Sequence, residues 1–202
     1  MDLCKRGELR VERFLDAATE VFNEKGYQYA HLSEIVARAG GSMATLYRVF
    51  GDKEGLAHAI IQRRMEDLSM RLEGLNLSGL PPEQALRQVA ERLTERMVSP
   101  ESLVIYRIVI GEGQSFPAIR DWFFDHAVAA VRGRLRGYFE QEVAAGRLKM
   151  VSPTMASSQF FMMLFGNLVV RVSSGKPKPD PEELKAYAQA AVDLFLRGAL
   201  PR

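Results

Sequence analysis

Residues 32–56 read LSEIVARAGGSMATLYRVFGDKEGL, and their periodicity decides how the rest of the chain is read. Leu32, Ile35, Val36 and Ala39 fall at i, i+3, i+4 and i+7, one face of a short helix. Gly40-Gly41 breaks that helix, because glycine alone takes left-handed backbone angles cheaply. Ser42 is suited to cap a second helix, its hydroxyl oxygen accepting the free N–H of Ala44 or Thr45. That helix, Met43 to Phe50, buries Leu46 and Phe50 and leaves Ala44, Thr45, Tyr47 and Arg48 on its other face. Lys53 begins a third, longer helix. Two helices joined by a short glycine-containing turn form the helix-turn-helix unit that enters the DNA major groove. The same spacing also fits a helical hairpin that only packs, and spacing alone favours that reading.

Outward from this segment, the bulk numbers constrain little. The chain has 202 residues, 47% of them hydrophobic, and a formal net charge of +2, enough apolar material for a sizeable core. Its first 55 residues hold eight Lys or Arg against nine Asp or Glu. A nucleic-acid-binding segment is expected to show a basic footprint, so the position of each cation matters more than their number. The single cysteine, Cys4, excludes an intramolecular disulfide and fits a reducing compartment. The polar N-terminus has no apolar core segment of a secretory signal. The longest apolar run, residues 160–170, is too short for the roughly 20 residues of a membrane span. These features predict a cytoplasmic protein with no membrane partner.

Helical periods continue along the whole chain and no stretch alternates with period two. Val11, Phe14, Leu15, Ala18, Val21 and Phe22 mark the first helix, and Lys5, Arg6 and Arg10 before it read as a flexible basic arm. Leu56, Ile60, Ile61, Met65 and Leu68 continue the helix that Lys53 opens. Residues 74–82 read as a connector. Further helices are expected over 82–97, 102–112, about 128–145, 154–172 and 184–197, the last two separated by the proline-rich SSGKPKPDP (173–181). The prediction is an all-α fold of about nine helices. Residues 1–52 form a three-helix helix-turn-helix domain, and residues 53–202 a larger helical bundle.

Gly26-Tyr27, LSEIVARAG (32–40), SMATLYRVF (42–50) and DKEGL (52–56) together resemble the TetR family of bacterial transcriptional regulators. The resemblance covers residues 8 to 60 and is specific, since separated landmarks recur in the same order and spacing. YRIVIGEGQSFPAIRDWFF (106–124) more loosely resembles the AefR-like C-terminal domains of that family. The resemblance implies a homodimer that binds a palindromic operator in double-stranded DNA and represses transcription until a small-molecule ligand releases it. It also implies dimerisation through the last two helices, here residues 154–172 and 184–197. No cofactor is implied.

Within that frame the expected DNA contacts are His31, Ser42, Met43, Ala44, Thr45, Tyr47, Arg48 and Lys53. Tyr47 offers a hydroxyl to a phosphate, and Thr45 and Arg48 are the best placed for base edges. Lys53 opens a helix, so its ammonium and the first-turn amides are both expected at a phosphate. His31 stands where the family prefers Ser or Thr, Ala30 replaces a usual Thr, Gly41 a small aliphatic residue and Val49 an aromatic. The glycine predicts a looser turn or an unusual operator.

In the C-terminal part, Phe160, Phe161, Met162, Met163 and Phe165 make a helix apolar on all sides, which must be covered on several of them. A Met and aromatic stripe of this kind is more often core than a ligand cavity. Tyr106, Trp122, Phe165 and Asn167 are the candidate ligand contacts, whereas Arg107 and Glu112 read first as an ion pair. No catalytic or metal-ligating residue is assigned. His31, His58 and His126 lack metal-ligand spacing, and the chain has neither a Gly-rich phosphate loop nor G-x-S-x-G. The chain is therefore not expected to be an enzyme.

Overall fold

The stripe from Val11 to Phe22 buries against its neighbours as a single helix, α1 (Asp2–Lys25), in the computed structural model, which describes residues 2–73, 79–174 and 180–201. The backbone carrying Lys5, Arg6 and Arg10 is already helical, so the expected flexible arm is the opening of α1. Next come α2 (Leu32–Ala39), α3 (Met43–Phe50), α4 (Lys53–Glu73) and α5 (Pro82–Met97). Helix α6 covers 100–111 and α7 covers 117–144, and α8 (Pro153–Ser173) and α9 (Pro181–Ala199) complete nine helices among the described residues, with no strand. Residues 74–78 and 175–179 of the two expected connectors lie outside the described residues. Proline at the first position opens α5, α8 and α9, where its missing N–H costs nothing.

Two helices contain π-helical turns, with i→i+5 bonding, that no periodicity announced. They are Arg107–Gly111 in α6 and Phe123–Val128 in α7. Such turns are rare and recur at functional positions.

The chain divides into two compact units, Met1–Asp67 with Pro100–Arg120, and Leu68–Ser99 with Asp121–Arg202. In the first, α1 packs on α2 and on α6, and α2 packs on α3. Phe14, Val21, Phe22, Ile35, Leu46, Leu56, Ile60 and Ile61 form its core. Ring edges tighten it, Phe14 to Phe50 with centroids 6.0 Å apart and Phe22 to Tyr27 at 5.1 Å. Polar ties accompany the apolar ones. Arg64 is buried, its Nε donating to Ser102 Oγ at 2.9 Å and its Nη1 to Asp67 at 2.8 Å. Arg63 reaches Glu12 and Asp16 at 2.8 Å and Glu101 at 2.6 Å.

In the second unit α9 packs on α5 and α8, and α8 packs on the 129–144 part of α7. Its centre is aromatic. Phe139 stacks on Phe195 at 5.3 Å, and Phe160 meets both rings edge-on, at 6.2 and 5.0 Å. Phe160, Phe161, Leu164, Phe165 and Leu168 of α8 are buried. By length and composition alone, residues Pro153–Val172 of α8 are apolar enough to cross a membrane; in this unit the helix is a core element, with Met155, Met162 and Val170 facing outward.

Candidate nucleic-acid interface

The helix-turn-helix forms because each of its local rules is met by a named residue. Gly40 takes left-handed angles, φ 66° and ψ 37°, and its N–H closes α2. Gly41 answers a steric demand: a Cβ there would sit 2.4 Å from Cζ of Phe14. The residue expected to loosen the turn therefore lets the Phe14 ring close against it. Ser42 has extended backbone angles and caps α3, its Oγ accepting the Thr45 N–H at 3.2 Å. The Ser42 and Thr45 hydroxyls are also hydrogen-bonded to each other at 3.0 Å.

From this cap α3 turns Leu46 inward and a mixed face outward. Ala44, Tyr47 and Arg48 are exposed, Met43 and Thr45 half-buried, and Val49 exposed. Positions 44, 47 and 48 share one helical face. His31 precedes α2 with extended angles, is exposed and gives α2 no side-chain cap.

The cations of this unit sort into two groups. Arg38 binds Glu24 bidentately at 2.7 and 2.9 Å and reaches Glu20 at 3.4 Å, while Lys25 lies 2.7 Å from Glu34. The hydrogen bond from Arg38 holds the Glu24 carboxyl below its usual range, against a smaller opposing effect of burial. Arg10, Arg13 and Arg48, in contrast, form no ion pair among the described residues. Of the acids that cancel the basic footprint, Glu20, Glu24 and Glu34 are thus engaged by Arg38 and Lys25, and Glu12 and Asp16 by Arg63; none of these pairs involves the outer face of α3.

Lys53 differs from expectation. Its ammonium donates to three backbone carbonyls of the α1–α2 turn, Tyr27 at 2.7 Å, Gln28 at 3.0 Å and Ala30 at 3.2 Å. It also lies 4.8 Å from the centre of the Tyr27 ring. An ammonium has three donors, and all are engaged within the chain. The first turn of α4 is occupied too, because Asp52 Oδ1 accepts the Gly55 N–H at 2.8 Å. The phosphate contact expected at this helix start meets an internal carboxylate and an internally committed ammonium. Nothing in sequence spacing shows such a bond, since its acceptors are backbone atoms 23 to 26 residues away.

The same turn is held from the segment just after α6. The Gln28 backbone N–H and the Lys53 ammonium both favour the charged form of the Glu112 carboxyl, against the larger effect of its burial. Phe116 meets the Tyr27 ring edge-on at 4.7 Å. Burial dominates both charged groups, lowering the Lys53 pKa and raising that of Glu112. Arg107, expected to pair with Glu112, turns instead to the Asn23 carbonyl. Glu112 and Phe116 are the supporting residues that sequence reading missed.

The four ligand candidates are divided between the two units. Tyr106 belongs to the first unit and is buried beside Ser102 and Arg64, with burial pushing its phenol up to about 12. Trp122, Phe165 and Asn167 belong to the second. Trp122 stacks on His126 at 4.8 Å, Phe165 is buried against Phe161, and Asn167 is half-buried. A separate groove of about 860 Å³ in the second unit is lined by residues such as Lys149, Val151, Met155 and Leu200, and by none of the four.

Residues 14–60 match the model of the bacterial regulatory proteins of the tetR family, and residues 84–198 that of the AefR-like transcriptional repressor C-terminal domain. The transcriptional activator FasR of Mycolicibacterium smegmatis is 41% identical over 64 residues, 32% of this chain and 27% of FasR. Curated relatives of this kind are matched over about a third of their own length. Among solved structures, a TetR-family regulator from Mesorhizobium loti superposes with a TM-score of 0.78 at 24% identity, covering 97% of this chain and 99% of that one. The flavonoid-responsive regulator FrrA is 27% identical over 96% of this chain and 98% of its own, with a TM-score of 0.68.

Proposed function

Since the chain belongs to the TetR family of helix-turn-helix transcriptional regulators, a family of DNA-binding proteins rather than enzymes, we propose that it acts as a homodimer on a palindromic operator and leaves it on binding a small molecule. The observation that carries the reading is the outer face of α3, where Ala44, Tyr47 and an unpaired Arg48 stand exposed on a helix fixed by the Ser42 cap. Tyr47 donates to a phosphate while its ring lies on the sugar. Arg48 and Thr45 face base edges, and Ala44 and Met43 let the helix seat deeply in the groove. His31 and the cap hydroxyl of Ser42 complete the contacts. In this reading residues 1–52 are the DNA-reading part and residues 53–202 the effector-binding and dimerisation part.

Dimerisation through 154–172 and 184–197 is supported by the apolar residues that α8 and α9 leave outside. Met155, Met162 and Val170 on α8 and Tyr187 and Leu194 on α9 are exposed, at spacings that keep each set on one side of its helix. A second copy would cover them, and α3 of each copy would then enter successive major grooves about 34–36 Å apart. Tyr106, Trp122, Phe165 and Asn167 remain the proposed effector contacts, and the cytoplasm the proposed compartment.

The test is nuclease protection of the DNA upstream of the coding region, with affinity measured across salt. A protected palindrome and a steep fall of affinity with salt are expected, because phosphate contacts release counterions. Absence of any protected site, or an affinity indifferent to Tyr47→Ala and Arg48→Ala, would overturn the proposal.

A further inference from the structure

Lys53 begins the helix that follows the reading helix, the position where a cation is expected on a phosphate, yet its donors point the other way. We infer that Lys53 is a positioning residue for DNA binding, acting as a clamp on the α1–α2 turn, and that the segment just after α6 supports the clamp through Glu112 and Phe116. This inference rests on the DNA-binding reading given above.

Three convergent bonds, to the carbonyls of Tyr27, Gln28 and Ala30, fasten four consecutive residues to the start of α4. A compact ammonium suits three acceptors at one point, and a planar guanidinium does not. The turn is met a second time by the Phe116 ring, edge-on to Tyr27 at 4.7 Å, while the Glu112 carboxylate is favoured in its charged form by the Gln28 N–H and Lys53. What the turn carries explains why the grip matters. His31 follows directly and starts α2 without any side-chain cap, and α2 in turn supports α3 through Gly40 and Gly41. The placement of α2 against the start of α4 thus rests on backbone atoms held by one lysine. Lys53 is half-buried, and the Glu112 carboxylate offsets part of the cost that burial places on its charge.

Two variants of the full-length protein separate clamp from phosphate anchor. Lys53→Arg keeps the positive charge but cannot meet three converging carbonyls. Lys53→Met removes the charge and keeps the aliphatic stem. With Lys53 as a clamp, both variants lose about tenfold in operator affinity, the scale of losing hydrogen bonds to a charged group. The slope of log affinity against log salt stays at the wild-type value in both. Amide hydrogen exchange over residues 26–32 of the DNA-free protein becomes faster in both. The inference is overturned if Lys53→Arg binds like wild type while Lys53→Met shows a slope shallower by about one, the mark of a lost phosphate contact. It is equally overturned if exchange over 26–32 is unchanged in both variants. Wild-type protein that binds no DNA would remove the functional reading instead, and the exchange measurement would still decide whether the clamp exists.

Discussion

The two units of this chain both mix ring packing with ion pairs, and they differ in where each is placed. The unit containing the reading helix distributes its stability over charge and backbone ties: Arg38 on Glu20 and Glu24, Arg63 on three carboxylates, Arg64 on Ser102 and Asp67, Lys53 on three carbonyls. The other unit has ion pairs of its own, Arg87 on Glu83 and Asp193 and Arg147 on the buried Glu142, but centres on the Phe139, Phe160 and Phe195 rings and leaves apolar residues outside on α8 and α9. The difference teaches that an even charge balance in a DNA-reading segment does not argue against its role. Cations used internally leave the few on the reading face free of local partners.

The comparison breaks most readily at the aromatic centre. Phe139→Ala should destabilise the protein by about 3–5 kcal/mol, the cost of truncating a fully buried ring, read as a lowered urea midpoint. Removing Arg64, whose side chain is buried and hydrogen-bonded, should cost somewhat less, about 3 kcal/mol, by breaking its buried bonds to Asp67 and Ser102. Equal effects of these two changes would erase the distinction between the units. Gly41→Ala sharpens it within the reading unit: the added methyl must displace the Phe14 ring, costing about 1–3 kcal/mol as overpacking, again read in the urea midpoint. Leu194→Arg, at a side chain already exposed, should leave the monomer's thermal transition nearly unmoved while sedimentation shifts from dimer to monomer. The smallest stability effect is expected for Arg38→Ala, whose ion pairs lie at the surface. Its thermal midpoint should move less than that of any core variant above.

Much of this was readable from residues alone. Helical period located the helices, although α7 opens at Pro117, well ahead of the start expected near 128, and Ser42 is recognisable as a cap because the geometry it satisfies is local. The face of α3 followed from the same period once Leu46 was assigned inward. What escaped reading depends on partners distant in sequence. Gly41 looked like a departure because its reason, the Phe14 ring, lies 27 residues upstream in α1. Lys53 looked like a phosphate anchor because its real acceptors are carbonyls, which every residue possesses and no sequence distinguishes. Glu112 seemed paired with Arg107 five residues away, and the π turn between them carries the two side chains to different neighbours. Such a turn has no compositional mark, since it differs from ordinary helix only in its bonding.

That turn also sets how the chain leaves α6. A π segment accommodates an extra residue within a helix, and one residue corresponds to about 100° of rotation at 3.6 per turn. Winding the same residues from Arg107 to Gly111 as ordinary helix would swing everything after them around the axis. Glu112 and Phe116 would then leave the α1–α2 turn together. The direction in which Glu112 and Phe116 leave α6 is therefore set by the bonding of this one turn.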